Sequence, residues 1–189
     1  APLEMPDGFT IGTLSGSGEG IHYALYPRIR GRAASEPDDD QLRVLGRMIG
    51  RMHQVGSWES LEHRPQLTPA SYGRANLELL QEQNLLPPTV EAAYTDRVQR
   101  ILDLSEARFE GVPMQRIHGD CHLGNILWRN DGPVFLDFDD MLTGPVVQDL
   151  WMLAPSPDEE GFRKRDILIS AYEEVQEFNP DWYSLIEPL

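Results

Sequence analysis

The sequence contains little cysteine and no long apolar run. Its single cysteine, Cys121, excludes an internal disulfide framework and favours a reducing compartment, so the sequence predicts a cytoplasmic location. No apolar stretch approaches the roughly 18 residues of a membrane span, and the first residues lack the basic and apolar segments of a signal peptide. We therefore expect a soluble protein with no membrane partner.

Basic side chains are also scarce relative to acidic ones. Sixteen Lys and Arg side chains oppose 31 Asp and Glu side chains, which gives a formal net charge of -15. This balance disfavours nucleic acid as a partner. A site for phosphate groups in so acidic a protein needs a divalent cation that neutralises the ligand and the local carboxylates together. Mg²⁺ is the natural candidate.

The spacing of apolar residues predicts a mainly helical chain with a few strands. The predicted helices cover residues 41–54, 71–83, 89–109, 147–153 and 163–178.

The remaining segments predict strands, turns and a linker. A strand is predicted over 21–29, after a glycine-rich turn at 16–20 and with 10–14 as its partner. The region 117–136 predicts a loop, a strand, a tight turn and a second strand. Residues 31–37 suit a linker, and the acidic runs at 38–40 and 158–160 suit helix starts.

The segment IHGDCHLGNILW contains the most informative chemical pattern. His118, Asp120 and Asn125 are spaced as H-x-D-x-x-x-x-N, the spacing of a protein kinase catalytic loop. In phosphoryl transfer an aspartate orients the attacking hydroxyl or accepts its proton, and an asparagine offers a neutral oxygen to a metal ion on the phosphates. Asp120 is therefore the candidate catalytic base, and Asn125 is a candidate metal ligand.

A second carboxylate is expected beside this loop. The predicted hairpin after Asn125 ends at Asp137, and adjacent strands lie only about 5 Å apart, so Asp137 can share a cation with Asn125. Asp139 and Asp140 are open: either side chain could reach the metal or the substrate, and either could cap a turn at the surface.

The segments HGDCHLGN, FLDFDD and GPVVQDLWML together resemble the aminoglycoside phosphotransferase and choline kinase superfamily. The similarity covers nearly the whole chain, including YPRIRGR, LGRMIGRMHQVG, HRP and AYEEVQEF. It implies an α+β, protein kinase-like fold with a mostly helical large lobe and a β-hairpin catalytic region. It also implies MgATP as phosphate donor, with Asp120 as base and with Asn125 and Asp137 as metal ligands.

The same resemblance assigns further residues. It implies that the strand over 23–28 enters the hinge between lobes, that Tyr26 and Arg28 contact the nucleotide, and that Leu127 lies under the adenine. Asp149 resembles the buried helix carboxylate that holds the backbone amides of the catalytic loop. His118 is expected to be a buried residue that braces this loop through hydrogen bonds.

One part of a kinase site is missing from the sequence. Kinases use a lysine of the small lobe to hold the α- and β-phosphates, but the only lysine here is Lys164. We therefore expect 1–30 to be a remnant of the small-lobe strands and hinge, and 31–189 to be a large lobe truncated at its C-terminal end. On this hypothesis the isolated chain binds MgATP poorly.

The predicted function is transfer of the γ-phosphate of ATP to a hydroxyl. The resemblance favours serine or threonine hydroxyls of proteins as acceptors, but the wider superfamily also phosphorylates small alcohols, and the sequence leaves both open. VFLDFDDMLTG also resembles the first motif of haloacid dehalogenase-type phosphatases, with Asp137 as nucleophile and Asp139 as acid. That alternative leaves HGDCHLGN unexplained. A third alternative is a binding module without catalysis.

Neighbouring residues allow other interpretations of the loop. His118, Cys121 and His122 are all potential zinc ligands, but their spacing is poor and no second Cys or His pair is near in sequence. Cys121 could be a nucleophile, although a small residue that packs in the loop is the expected role. His53, at the end of an amphipathic helix, is expected to be structural.

Overall fold

The computed structural model describes residues 2–16, 18, 20–33 and 36–189. The chain divides into two compact units, Ala1–Gly31 and Arg32–Leu189. Among the described residues, the first unit contains two short strands. The second contains five strands and five α-helices.

The first unit contains an antiparallel ribbon. Strand β1 (Gly12–Leu14) pairs with strand β2 (Ile21–Tyr23), and Thr13 lies opposite His22. The Thr13 hydroxyl also lies 3.0 Å from Nδ1 of His22, so the side chains of this pair are joined as well as the backbones. The predicted partnership of the two segments is confirmed.

Strand β2 is shorter than predicted. It ends at Tyr23, whereas the sequence predicts a strand to residue 29. Pro27 has no amide hydrogen and cannot donate to a ladder at that position, which limits the length of the strand. The predicted turn at 16–20 includes residues 17 and 19, which lie outside the described part of the chain.

The second unit contains five α-helices. They are α1 (Asp39–Gly56), α2 (Ala75–Glu82), α3 (Glu91–Phe109), α4 (Val147–Trp151) and α5 (Glu159–Glu173). Each overlaps one predicted helix. Helix α2 is preceded by a π-helical turn, Pro69–Arg74, where the sequence predicts α-helix from residue 71. None of the helices in the described part of the chain has the combined length and apolar character needed to cross a membrane.

Aspartate side chains determine where α1 and α5 begin. Oδ1 of Asp38 accepts a hydrogen bond from the Gln41 amide at 2.8 Å, and the Gln41 side chain accepts one from the Asp38 amide at 3.0 Å. Asp158 accepts from the Gly161 amide at 2.8 Å, and this bond lowers the pKa of Asp158. Both acidic runs are thus helix starts, as predicted. Because Asp158 caps α5, this helix begins at Glu159 and not at the predicted residue 163.

The hydrophobic core lies between α1 and α5. Leu45 and Ile49 of α1 and Leu168 and Tyr172 of α5 are fully buried, together with side chains of α4. Gly46 allows the two helices to approach closely, because a β-carbon at this position would collide with the Leu168 carbonyl oxygen. The core therefore holds α1 and α5 at a fixed separation, and α1 also contacts the strand Gln115–Ile117, which follows α3.

The strands of the second unit form two small antiparallel sheets. One has the order β3 (Arg32–Ala33), β5 (Ile126–Arg129), β6 (Gly132–Phe135), and the other pairs β4 (Gln115–Ile117) with β7 (Leu142–Gly144).

The predicted hairpin is present as β5 and β6, with Ile126 opposite Phe135. The linker predicted over 31–37 is partly wrong, because Ala33 pairs with Leu127 in strand β3. Two residues are too few for a strand to show a sequence period. Residues 34 and 35 lie outside the described part of the chain.

The close contact of α1 with α5 predicts an unusual response to a small substitution. Gly→Ala within a helix normally stabilises by about 0.5–1 kcal/mol. At Gly46 the added methyl group collides with backbone of α5, so we expect Gly46→Ala to lower the free energy of unfolding by about 1–3 kcal/mol. Urea denaturation measures the change.

The matched control is Arg51→Ala on the exposed face of α1, which should change the free energy of unfolding by less than about 0.5 kcal/mol. A Gly46→Ala protein as stable as the parent, or more stable, would show that α1 and α5 are not in this contact.

Candidate active site

Asn125 joins the candidate catalytic loop, residues 118–125, to the β5–β6 hairpin. Its Nδ2 donates hydrogen bonds to the carbonyl oxygen of Asp120 at 2.9 Å and to Oδ2 of Asp120 at 3.0 Å. Its own carbonyl accepts from the amide of Leu136 at 2.8 Å. Because Asp137 is the next residue, three hydrogen bonds bring the loop aspartate, Asn125 and the segment that carries Asp137 into one region.

His118 makes a second connection between the same two segments. The ring is 1% exposed, and its Nε2 lies 2.8 Å from the carbonyl oxygen of Leu136. Its Nδ1 accepts from the amide of Asp120 at 3.3 Å, so the ring proton belongs on Nε2, where it is donated to Leu136. The ring also lies against Phe138, with centroids 4.6 Å apart.

Asp149 lies beneath the loop and is fully buried. Its Oδ2 accepts a hydrogen bond from the amide of His118 at 2.8 Å, and its Oδ1 accepts one from the amide of Gly119 at 2.9 Å. A third contact joins Oδ2 to Nε2 of His53 at 2.9 Å. The carboxylate therefore accepts the hydrogen bonds of two backbone amides at the start of the loop, and these amides stabilise its buried charge.

The contacts of His53 continue this network to α5. Nδ1 of His53 lies 3.1 Å from the hydroxyl of Tyr172, which is also fully buried. Burial raises the pKa of Tyr172, so the hydroxyl stays protonated. Because Nε2 of His53 donates to the Asp149 carboxylate, the Nδ1 of a neutral ring accepts from this hydroxyl. The sequence indicated only that His53 is structural. Its partner Tyr172 lies 119 positions away, and the sequence had no signal for that pair beyond its place on an apolar helix face.

Asp137 adopts an unusual backbone conformation. Its φ is 60° and its ψ is 67°, in the left-handed region, which aspartate tolerates better than most residues. The kink ends β6 and starts a short 3-10 turn, Phe138–Asp140. The Asp137 side chain is exposed and accepts no hydrogen bond from the described residues, so its carboxylate is free to bind a ligand.

Two further contacts hold the turn after Asp137 beside the loop. Gly119 has a φ of 89°, and a β-carbon there would collide with the carbonyl oxygen of Asp140. Nη1 of Arg64 donates to the carbonyl of Asp139. Sequence reasoning missed Arg64, although it lies in the quoted HRP segment. Asp139 and Asp140 have exposed side chains, and their roles stay open.

Several side-chain oxygens of the site are free of hydrogen bonds from the described residues. Oδ1 of Asp120 and Oδ1 of Asn125 accept no hydrogen bond from the described residues, whereas Oδ2 of Asp120 binds Asn125 and lies 3.4 Å from Nε2 of His122. With the Asp137 carboxylate these are hard oxygen donors, the type that Mg²⁺ and Ca²⁺ prefer. The chemistry of these donors suits a divalent cation.

The residues predicted to contact the nucleotide are distributed over both units. Tyr26 and Arg28 are exposed residues of the first unit, in a segment without regular structure. Leu127 is a half-buried residue of β5 in the second unit, paired with Ala33 and Val134. Their contact with a nucleotide stays a prediction.

Lys164 does not take the place of the small-lobe lysine. It lies on α5, and its Nζ is 3.8 Å from a carboxylate oxygen of Glu160. No other lysine occurs in the sequence, so these 189 residues do not contain a lysine in the kinase position.

Cys121 has the properties of a packing residue. It is fully buried, and burial together with the charges of Asp149 and Asp120 raises the pKa of its thiol well above its ordinary value. Among the residues that the structure describes, no three His, Cys, Asp or Glu side chains form a metal-binding group. The zinc interpretation of His118, Cys121 and His122 therefore has no geometric support.

The phosphatase interpretation of Asp137 also lacks support. An α/β domain requires parallel strands joined by helices. Asp137 follows a strand of an antiparallel hairpin, and every pair of strands in the described part of the chain is antiparallel. In the same part of the chain, the one parallel contact is an isolated bridge between Gln66 and Thr143.

Comparison with known proteins identifies relatives over nearly the full chain. The model of the Phosphotransferase enzyme family matches residues 2–186. Stress response kinase A of Escherichia coli (strain K12) and Serine/threonine protein kinase RdoA of Salmonella typhimurium (strain LT2) are each 38% identical over 189 residues. The match covers 100% of this chain and 57% of each relative, so the chain spans little more than half their length.

A solved structure has the same fold. Amicoumacin kinase hAmiN, in complex with AMP-PNP, Ca²⁺ and its ligand Ami, aligns with a TM-score of 0.77 and 19% sequence identity. The alignment covers 99% of this chain and 59% of that one. The predicted α+β, kinase-like fold is confirmed, and so is the predicted superfamily.

The burial of Asp149 predicts a large effect on stability. Asp149→Asn removes the negative charge that accepts from three donors. The new side-chain NH2 group also faces at least one of those donors, so at least one hydrogen bond is lost. We expect the free energy of unfolding to fall by about 3 kcal/mol in urea denaturation. Asp103→Asn on the exposed face of α3 is the control and should change it by less than about 0.5 kcal/mol. Equal effects of the two substitutions would exclude the network.

The raised pKa of Cys121 predicts slow chemical labelling. Near pH 8, where an unfolded thiol begins to ionise, the buried thiol stays protonated and is also shielded from reagent. We expect reaction with 5,5′-dithiobis-(2-nitrobenzoate) at about pH 8 to be at least about tenfold slower in the native protein than in urea. Since Cys121 is the only cysteine, the absorbance change reports this site alone. Rapid native labelling would revive the nucleophile interpretation.

Proposed function

The chain belongs to the phosphotransferase enzyme family, and from this premise we propose that it forms the catalytic lobe of an ATP-dependent kinase. The reaction is transfer of the γ-phosphate to a hydroxyl group. The observation that carries the proposal is the junction at Asn125, which binds Asp120 through its side chain and the segment of Asp137 through its backbone.

Asp120 is the proposed catalytic base. Its Oδ2 is oriented by Nδ2 of Asn125, and its Oδ1 is left free to accept the hydrogen of an incoming hydroxyl. The side chain is 34% exposed, so a substrate can reach it. A base held in this way orients the acceptor oxygen and receives its proton as the bond to phosphorus forms.

Asn125 and Asp137 are the proposed metal ligands. Nδ2 of Asn125 is already engaged by Asp120, which leaves Oδ1 to bind a cation, and the Asp137 carboxylate is free. A Mg²⁺ ion bound there would neutralise the phosphates of ATP and the acidic residues around them. His118 and Asp149 are proposed to position the loop by binding its backbone, without touching substrate.

The proposed acceptor is a serine or threonine hydroxyl of a protein. This proposal is supported by the relatives at 38% identity, one of which is named a serine/threonine protein kinase. Small alcohols are the competing acceptor class, because the fold is shared with amicoumacin kinase, at a lower identity of 19%. The lysine that would hold the α- and β-phosphates is not among these 189 residues, which span 57% of the length of their relatives, so we propose the activity for a longer natural protein that contains them.

Replacement of the base is the decisive test. In the natural protein, we expect Asp120→Asn to lower the rate of phosphate transfer from [γ-³²P]ATP by about 10²–10⁴-fold, because the amide cannot accept the proton. Phosphoamino acid analysis of the labelled protein and of a lysate substrate pool should identify phosphoserine or phosphothreonine.

The control is Asp131→Asn in the turn of the same hairpin, an exposed carboxylate paired with Arg129, which should leave the rate unchanged within about twofold. Full activity of Asp120→Asn would refute the role of Asp120. Label found only on small polyhydroxylated molecules would refute the protein acceptor and leave phosphotransfer intact.

A further inference from the structure

One cavity of the Arg32–Leu189 unit contains none of the candidate active-site residues. Its volume is about 550 Å³, and it lies between α5, the loop before it and the 3-10 helix Pro180–Leu185. The lining residues used below are Pro155, Phe162, Arg165, Asp166, Tyr183 and Ile186. Most of the surface of its wall is apolar, and four charged side chains, a tyrosine and a serine also line it, a mixture that can hold and orient a small molecule.

Arg165 is the unusual residue of this cavity. It is 7% exposed, and no carboxylate of the described residues lies within 4.0 Å of its guanidinium. Its single hydrogen bond runs from Nη2 to the carbonyl oxygen of Ser156 at 3.2 Å. A guanidinium with so little exposed surface and no partner of opposite charge loses much of its hydration, and its unbonded nitrogens keep contact with solvent.

The surroundings of Arg165 leave its donors available. The guanidinium carbon lies 4.6 Å from the centroid of the Phe162 ring, so one face of the group is covered. Nε and Nη1 donate no hydrogen bond to the described residues. An arginine covered on its face and free along its edge is arranged for a planar, two-oxygen acceptor.

Tyr183 adds a neutral donor to the same cavity. Burial, reinforced by the charge of Asp166, raises the pKa of Tyr183 to about 12, so its hydroxyl is protonated at neutral pH. Two other charged residues of the cavity wall, Arg108 and Glu187, lie close to each other. Arg108 lies 3.7 Å from Glu187 and donates to the carbonyl of Ser184, and Asp166 is the lining carboxylate whose negative charge acts on Tyr183.

We propose that this cavity binds a small organic carboxylate with an apolar body. Arg165 would receive the two carboxylate oxygens along its free edge, with the Tyr183 hydroxyl as a further donor. Phe162, Pro155 and Ile186 would contact the apolar body. One arginine without an ion pair, in a cavity that two carboxylates also line, suits a monoanion better than the dianionic form of phosphate.

Three probes test the proposal in the natural protein that carries this chain. Benzoate has the proposed chemistry, benzamide has the same shape without charge, and inorganic phosphate has the charge without the apolar body. In isothermal titration calorimetry we expect benzoate to bind with a Kd of about 1 mM, the range of a ligand this small. Benzamide and phosphate should bind at least about tenfold more weakly.

Substitutions assign any binding to this cavity. Arg165→Met keeps the volume but removes the charge, and should weaken benzoate at least about tenfold without lowering the thermal midpoint, because no ion pair is lost. Tyr183→Phe should weaken benzoate several-fold, and Asp166→Asn should strengthen it. The control Arg163→Met removes an exposed arginine of the same helix, paired with Asp39 and Glu160, and should leave benzoate binding unchanged.

Each other outcome overturns the proposal. Equal binding of benzoate and benzamide, or stronger binding of phosphate, would contradict the carboxylate site. Absence of benzoate binding would refute the carboxylate site. A lower thermal midpoint for Arg165→Met with benzoate binding unchanged would assign Arg165 a structural role only. If Arg165→Met does not fold, Tyr183→Phe and Asp166→Asn still decide the result through their opposite effects.

Discussion

The buried carboxylate of Asp149 is the interaction on which the arrangement of the second unit depends. It lies on α4, accepts from the amides of His118 and Gly119, and contacts His53 of α1, which in turn contacts Tyr172 of α5. A buried charge is tolerated only when its hydrogen-bonding capacity is filled, and here three donors fill it. One carboxylate thus fixes three helices and the start of the candidate catalytic loop relative to one another.

The contacts that order the candidate site begin at Asp149. His118, held by its backbone to Asp149, holds the carbonyl of Leu136 with its ring, and Asn125 holds the amide of the same residue. Both hydrogen-bonding groups of Leu136 are therefore occupied by the loop, immediately before the left-handed Asp137. Precise placement of Asp120 and Asp137 needs a supporting layer of this kind, because exposed carboxylates on a free loop would not share one ion.

The sequence predicted the parts of this arrangement that are local. The spacing of His118, Asp120 and Asn125 and the hairpin after them are close in the chain, so turn chemistry and strand alternation were sufficient to expect Asp137 nearby. The contact of Asp149 with the loop could not be derived from spacing, and only the family resemblance implied it. The contact between His53 and Tyr172 could not be predicted, because periodicity identifies the buried face of a helix but not the residue that packs against it.

The central proposal is that Asn125 and Asp137 share a divalent cation next to Asp120. Its most direct test is anomalous X-ray diffraction from crystals of the natural protein grown with Mn²⁺ and a non-hydrolysable ATP analogue. The expected result is a manganese peak within about 2.3 Å of Oδ1 of Asn125 and of an Asp137 carboxylate oxygen. A manganese peak bound by other residues, with these oxygens left without metal, would contradict the proposed phosphotransfer site.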